Sequence, residues 1–264
     1  MIRVLFIGDV CGKPGRKALS EIVPGLRSKY DIDLVMTNVE NIAHGRGATV
    51  STIQEAMASG VDFMTAGNHI WRNPQFEDVL SGEFPVIRPI NYPRDLPGKG
   101  YGEIDLGPKG IFLVISVMGV AFFYQERTLS EPFRALDEFL DNIDIDSYAG
   151  ILVDFHAEAT GEKLSAGLYL DGRVSAVLGT HTHVPTADER ILNNGTAYIT
   201  DVGMTGPLDS VLWVKKEIIF AQNKYPYSPG YEIQEEGPLK FDAVLIDIDG
   251  PRKALGIKRI NKIL

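Results

Sequence analysis

The chain has 264 residues, 44% of them hydrophobic, with 26 Lys and Arg against 35 Asp and Glu and a net charge of -9 at pH 7. That composition supplies a full core without disorder or staples, and its negative balance repels the nucleic-acid backbone at long range, so strong polyanion binding is not expected. An anionic small molecule stays open, because a bound metal can reverse the local sign. The single cysteine, Cys11, excludes an intrachain disulfide and a thiolate metal cluster, which leaves nitrogen and oxygen donors for any metal.

The apolar run at 1–7 is too short for a signal peptide, and the longest apolar stretch, 111–124, is interrupted by Ser116 and Gly119 and falls short of a bilayer span. A soluble cytoplasmic protein with no membrane partner is expected. A strand at 3–7 empties into Gly8-Asp9-Val10-Cys11-Gly12, and a helix follows from near Pro14 to about Tyr30, strained at Pro24. The unit repeats. A strand at 34–39 ends in Glu40-Asn41, and a glycine-rich loop (His44-Gly45-Arg46-Gly47) leads to a helix through Ser59, capped by Thr49 or Ser51. A third strand, 61–66, ends in Gly67-Asn68-His69, and Asn73-Pro74 opens a short helix. Three such junctions with polar ends predict a parallel sheet carrying a site at its carboxyl edge.

Gly107-Pro108-Lys109-Gly110 separates strand-like runs at 101–106 and 111–117, which predicts a hairpin and a mixed sheet. A helix is expected over 131–143, a strand over 150–155 closing in His156-Ala157-Glu158, a helix over 163–170 and a strand over 174–178. The last of these leads into Gly179-Thr180-His181-Thr182-His183-Val184-Pro185. In extended chain, residues i and i+2 share a face, so His181 and His183 are expected to offer two imidazoles to one cavity while Thr182 faces away. A strand at 196–200 ends in Asp201, and the strands after it, including a terminal hairpin of 241–248 with 255–260, are expected to pack in the second sheet. Residues 225–238 read as a long polar loop. With no linker, repeat or low-complexity tract, the whole chain, 1–264, is expected to form one domain.

Four of the five histidines (His69, His156, His181, His183) fall at strand ends, with Asp9, Glu40, Asn41 and Asn68 at the others. Imidazoles, a carboxylate able to bridge and amide oxygens make a donor set for two metal ions.

Gly8-Asp9, Gly67-Asn68-His69, His156 and Gly179-Thr180-His181-Thr182-His183 follow the order of the calcineurin-like metallophosphoesterases. More closely, Gly8-Asp9-Val10, Asn38-Val39-Glu40-Asn41, Asp154-Phe155-His156-Ala157-Glu158 and Thr200-Asp201-Val202-Gly203-Met204-Thr205-Gly206-Pro207 resemble the bacterial YmdB-like phosphodiesterase family over nearly the whole chain. The resemblance implies an α/β fold of two mixed β-sheets packed as a sandwich and flanked by helices. It also implies two di- or trivalent ions, iron or manganese, and hydrolysis of small cyclic nucleotides, 2',3'- or 3',5'-cyclic, by a hydroxide shared between the metals. One metal would take Asp9, Glu40, Asn41 and His183, the other Glu40, Asn68, His156 and His181, with Glu40 bridging. Two departures from the wider superfamily, Cys11 in place of a histidine and Glu40 in place of the usual Asp, are typical of this branch; Cys11 reads as a small buried side chain. His69 resembles the histidine that protonates the leaving oxygen, a role that general acid catalysis rewards with ~10²–10⁴-fold. Asp201 and Glu158 are candidates for orienting the ligating imidazoles, and His44 is given no role.

Two rival readings remain. An amidohydrolase-type barrel also uses His-x-His, but at its first strand, whereas this pair stands near residue 180. A non-catalytic regulator that binds a metal or nucleotide is separated from an enzyme by a turnover assay. The expected partner is a small-molecule phosphodiester, and a homo-oligomer is compatible with the sequence.

Overall fold

Successive side chains leave a strand on opposite faces, and the first strand, β1 (Ile2–Ile7), shows the layering this produces. Val4 and Phe6 enter an apolar cluster between two sheets, while Leu5 and Ile7 enter a second cluster beneath helices. The computed structural model describes residues 1–126, 128–226 and 230–264. After β1 the chain lays down β2 (Asp9–Val10), β3 (Leu34–Asn38) and β4 (Phe63–Thr65). It then builds β5 (Tyr101–Asp105), β6 (Ile111–Met118), β7 (Gly150–His156), β8 (Ala176–Thr180), β9 (Arg190–Ile191) and β10 (Ala197–Ile199). It closes with β11 (Met204–Pro207), β12 (Leu239–Ile248) and β13 (Ala254–Ile263).

One sheet has the order β2-β11-β12-β1-β3-β4, with β13 also paired to β12; the other has the order β5-β6-β7-β8-β10-β9. Both are mixed, as expected. β1, β3 and β4 run parallel to one another, and so do β6, β7, β8 and β10. The helices α1 (Gly12–Tyr30), α2 (Val50–Ala58) and α3 (Phe76–Ser81) cover the first sheet, and α4 (Pro132–Leu140) and α5 (Thr160–Tyr169) cover the second. The result is the expected α/β sandwich with helices on both outer faces. Among the described residues no helix is long and apolar enough to cross a membrane.

Several expectations need correction. The terminal hairpin, β12 with β13, joins the first sheet and not the second. β12 pairs antiparallel with β1 from Ile2 and Ile248 to Ile7 and Ala243. Its side chains supply both faces of that sheet: Val244, Ile246 and Ile248 go to the cluster between the sheets, and Phe241, Ala243 and Leu245 go to the helix side. A strand apolar on both faces belongs in the middle of a covered sheet, which is where β12 lies. Helix α1 starts at Gly12 and passes through Pro24 without ending, and Asp31 in the left-handed region (φ 52) terminates it. A further helix, α6 (Lys216–Lys224), has no fully buried residue and packs only through the half-buried Ile218 and Ile219, too narrow a stripe to announce it. At α2 the choice of cap resolves to Thr49, whose hydroxyl accepts from Thr52 N–H in a reciprocal capping box. The loop expected over 225–238 falls partly outside the described residues.

Candidate metal centre

The parallel strands of both sheets end at one place, and the expected ligands stand on those ends. Asp9 lies on β2, Glu40 and Asn41 follow β3, and Asn68 opens a 3-10 turn (Asn68–Arg72) after β4. From the second sheet His156 is the last residue of β7, and His181 and His183 follow β8. Donor atoms of Glu40, His156 and His181 all lie within 4.8 Å of one another, and so do those of Asp9, Glu40 and His183. Glu40 is common to both groups. Asn68 sits between Gly67 and His69, whose N–H donates to Glu40 Oε2 (3.0 Å). A β-carbon on Gly67 would collide with His156 Nε2 and Glu40 Oε2, so glycine is required for the first sheet to approach the second here.

The two histidines after β8 reach the site by another route than strand alternation. His181 and His183 both have left-handed backbone (φ 99 and 65), and β8 has already ended at Thr180. Thr182 does face away, as expected: its N–H (3.1 Å) and its hydroxyl (2.7 Å) both donate to Asp201 Oδ2. Asp201 also accepts from the buried Lys163 ammonium (2.6 Å). It therefore fixes the loop between the histidines and touches neither ring. Glu158 does meet a ring, with Oε2 3.1 Å from His181 Nε2.

Two orienting residues, Asp154 and Thr180, had no assigned role in the sequence. Thr180 donates its hydroxyl to Asp154 Oδ1 (2.7 Å) and lies 2.8 Å from His156 Nδ1, whose N–H it accepts. Asn38 (3.1 Å) and the Thr65 hydroxyl hold the other oxygen of Asp154. The chain Asp154–Thr180–His156 keeps the proton on Nδ1 and turns Nε2 toward Glu40 Oε2 (3.2 Å) and His181 Nδ1 (3.1 Å). Its signal was present: Asp154 stands two residues before His156 on a strand, hence on the same face.

Burial pushes the Asp9 carboxyl well above the usual carboxylate range, and the neighbouring Glu40 adds to this. Burial works the same way on Glu40, but His156, His69 and His181 around it hold its carboxyl well below that range. His156, against its own burial, is pushed up to about 9 by Glu40. Burial lowers His181 to about 3 and His183 to about 4, which keeps both rings neutral, the form that binds a metal. Among the described residues, Asp9 Oδ1 and Asn68 Oδ1 are buried without a hydrogen-bond partner. Two crowded carboxylates, unpartnered buried oxygens and neutral imidazoles fit cations, which would satisfy what the protein leaves open. Asn41 faces the same group: its Nδ2 donates to Glu40 Oε1 (3.1 Å) and lies 3.2 Å from His183 Nε2.

His69 is half-buried and belongs to neither donor group. Its Nδ1 is 2.7 Å from Asn41 Oδ1, and burial lowers its pKa from 6.5. A cavity of about 200 Å³ opens over Glu40, His69, Glu158, His181, His183 and Trp213. Cys11 is buried at the start of α1 with its thiol toward the Asp9 carbonyl (3.6 Å), the small core side chain expected of it. His44 is exposed in the glycine-rich loop.

The family model described as YmdB-like protein matches residues 5–260. A 2',3'-cyclic-nucleotide 2'-phosphodiesterase of Bacillus subtilis (strain 168) is 44% identical over 260 residues, covering 98% of this chain and 96% of its own. A putative phosphatase/phosphodiesterase of Mycoplasma genitalium is 39% identical over 210 residues, 78% of this chain and 73% of its own. Among solved structures, a hypothetical protein from Thermus thermophilus has a TM-score of 0.91 at 38% identity over 99% of both chains. A structure described as a novel phosphatase, from Mycoplasma pneumoniae, has a TM-score of 0.90 at 31% identity, covering 99% of this chain and 93% of its own. Matched in sequence and in fold from one end to the other, the chain belongs to the YmdB-like family.

Proposed function

We propose that the protein, acting as one domain, is a metal-dependent phosphodiesterase that opens the 2' ester bond of 2',3'-cyclic nucleotides and leaves the 3'-phosphate. The observation that carries this reading is the sharing of Glu40 by two donor groups drawn from both sheets, all buried but the half-buried His181. The name borne by the relative of 44% identity supports the choice of substrate. Asp9, Glu40, Asn41 and His183 would hold one ion, and Glu40, Asn68, His156 and His181 the other, with iron or manganese suited to such nitrogen and oxygen donors. When bound, the ions would supply Lewis acidity toward water and the phosphoryl oxygens.

The chain's own residues do the rest. Asp154 and Thr180 fix the His156 ring, and Asp201 fixes the backbone between His181 and His183, so the donors are set before substrate arrives. In the reaction water oxygen bonds to phosphorus, the bond from phosphorus to O2' breaks, and O2' takes a proton. His69 stands beside the donors with its Nδ1 against Asn41 Oδ1 (2.7 Å), and its Nε2 would deliver that proton once the ring proton has moved there.

The experiment loads purified protein with manganese or iron, counts metal per chain and supplies 2',3'- and 3',5'-cyclic nucleotides. Turnover of the 2',3' compounds to nucleoside 3'-phosphates is the expected result. Binding without turnover would make the protein a regulator, and a 2'-phosphate product would place the scissile bond wrongly.

A further inference from the structure

The segment that follows β6 runs along the rim of the centre and presents its aromatic side chains alternately. Phe123 turns inward, its ring 4.9 Å from that of His181. Phe122 and Tyr124 turn outward and are 63% and 79% exposed, their rings 6.4 Å apart and nearly perpendicular. The segment is anchored on both sides. Gly119 N–H donates to the His156 carbonyl (3.0 Å), Val120 N–H to Glu162 Oε1 (2.8 Å), and the Tyr92 hydroxyl to Glu126 Oε2 (3.0 Å). Phe122 is held in the left-handed region (φ 69), unusual for an aromatic residue. Two large apolar rings are thus kept in water on a fixed support.

Residues 122–126 border a cavity of about 260 Å³ that reaches Asn68, one of the expected ligands. We propose that Phe122 and Tyr124 form the platform on which the nucleobase of the substrate stacks while its phosphate lies at the centre beside Asn68 and His181; this rests on the phosphodiesterase reading above. Aromatic side chains hold bases by stacking whatever their sequence, since every base has a π-face. A larger cavity, about 970 Å³, shares Trp213 with the cavity over the centre and is bordered by Glu217, Glu232, Glu235 and Glu236 against Arg46 and Lys215, an acidic excess that suits an anionic nucleotide poorly. Its exposed aromatic, Tyr231, is already covered by the Arg46 guanidinium at 5.1 Å.

The test compares the metal-loaded wild type with Phe122→Gly/Tyr124→Ala, Phe122→Tyr/Tyr124→Phe and Tyr231→Ala. Glycine at 122 removes the ring without straining the left-handed backbone. Calorimetry measures binding of adenosine 3'-phosphate and of ribose 3-phosphate, and kinetics compares 2',3'-cyclic AMP with the base-free methyl riboside 2',3'-cyclic phosphate. Removing both rings should weaken adenosine 3'-phosphate by ~10-fold or more and raise KM for 2',3'-cyclic AMP in step, with kcat unchanged. Neither base-free compound should be affected, and the aromatic exchange and Tyr231→Ala should match wild type. Equal binding of adenosine 3'-phosphate by the ring-free variant and wild type overturns the platform, as does a loss confined to Tyr231→Ala. If wild type hydrolyses no cyclic nucleotide, the phosphodiesterase reading fails by itself, and the binding comparison still decides where the base sits.

Discussion

His69 Nδ1 lies 2.7 Å from Asn41 Oδ1, while the other end of the same amide, Nδ2, sits 3.1 Å from Glu40 Oε1 and 3.2 Å from His183 Nε2. The amide therefore points a donor at two groups expected to bind a cation, and an acceptor at His69, whose Nδ1 must carry the proton. A cation held by Glu40 and His183 calls for the amide oxygen instead. Turning the amide over then gives His69 Nδ1 an N–H partner and moves the ring proton to Nε2, the nitrogen proposed to serve the leaving oxygen. Nitrogen-15 NMR of the His69 ring should report the Nδ1–H form in metal-free protein and the Nε2–H form after loading with diamagnetic zinc. The same tautomer in both would break the link between metal and acid.

Glu40 is fully buried and is common to the two donor groups, whereas Asp9 and His156 each belong to one. Glu40→Ala should lose both metals. Asp9→Ala and His156→Ala should each lose mainly one, so metal per chain should fall unevenly across the three variants when counted by elemental analysis. Full occupancy in Glu40→Ala would remove the bridge.

His69→Ala should keep its metal, because the ring is in neither group. On a substrate that leaves through a ribose oxygen, kcat should fall by ~10²–10⁴-fold, the usual worth of a general acid. A p-nitrophenyl phosphodiester, whose leaving group hardly needs a proton, should slow far less. Equal losses on both would mean that His69 positions the phosphate or the turn it lies in.

The site was legible because its chemistry sits at strand ends, where a polar residue after an apolar run stands out; Asp9, Glu40, Asn68 and His156 were readable in that way. The two histidines of the His-x-His were also found, though for a reason the backbone does not follow, since left-handed φ values and not alternation aim their rings. Membership of sheets was harder to read. β12 is apolar on both faces, which marks a central strand but not which sheet it completes, and its pairing with β1 spans most of the chain. Helix α6 left little trace because it buries no residue fully, and only Ile218 and Ile219 pack, half-buried, against the body of the protein. Nothing in the sequence sets Phe122 and Tyr124 apart from core or ordinary surface aromatics at the end of a long apolar run, and their exposure on an anchored segment is what the structure adds.

Lys163 and Asp201 form a salt bridge of 2.6 Å with side-chain exposures of only 1% and 0%, beneath the loop that carries His181 and His183. Desolvation of two ions is costly, so the pair as a whole adds little over an apolar pair, but breaking it leaves a buried charge without a partner. Lys163→Met keeps the apolar stem and removes the ammonium, and should cost about 3–5 kcal/mol. In a chain of 264 residues that corresponds to a melting temperature lower by roughly 10 °C. Adding Asp201→Asn removes the stranded charge while an amide oxygen can still accept from Thr182, so the double variant should recover most of the loss. Thermal unfolding of the two single variants and the double, taken as a cycle, measures the coupling directly. Losses that simply add would show that Lys163 contributes packing and that Asp201 holds the histidine loop without it.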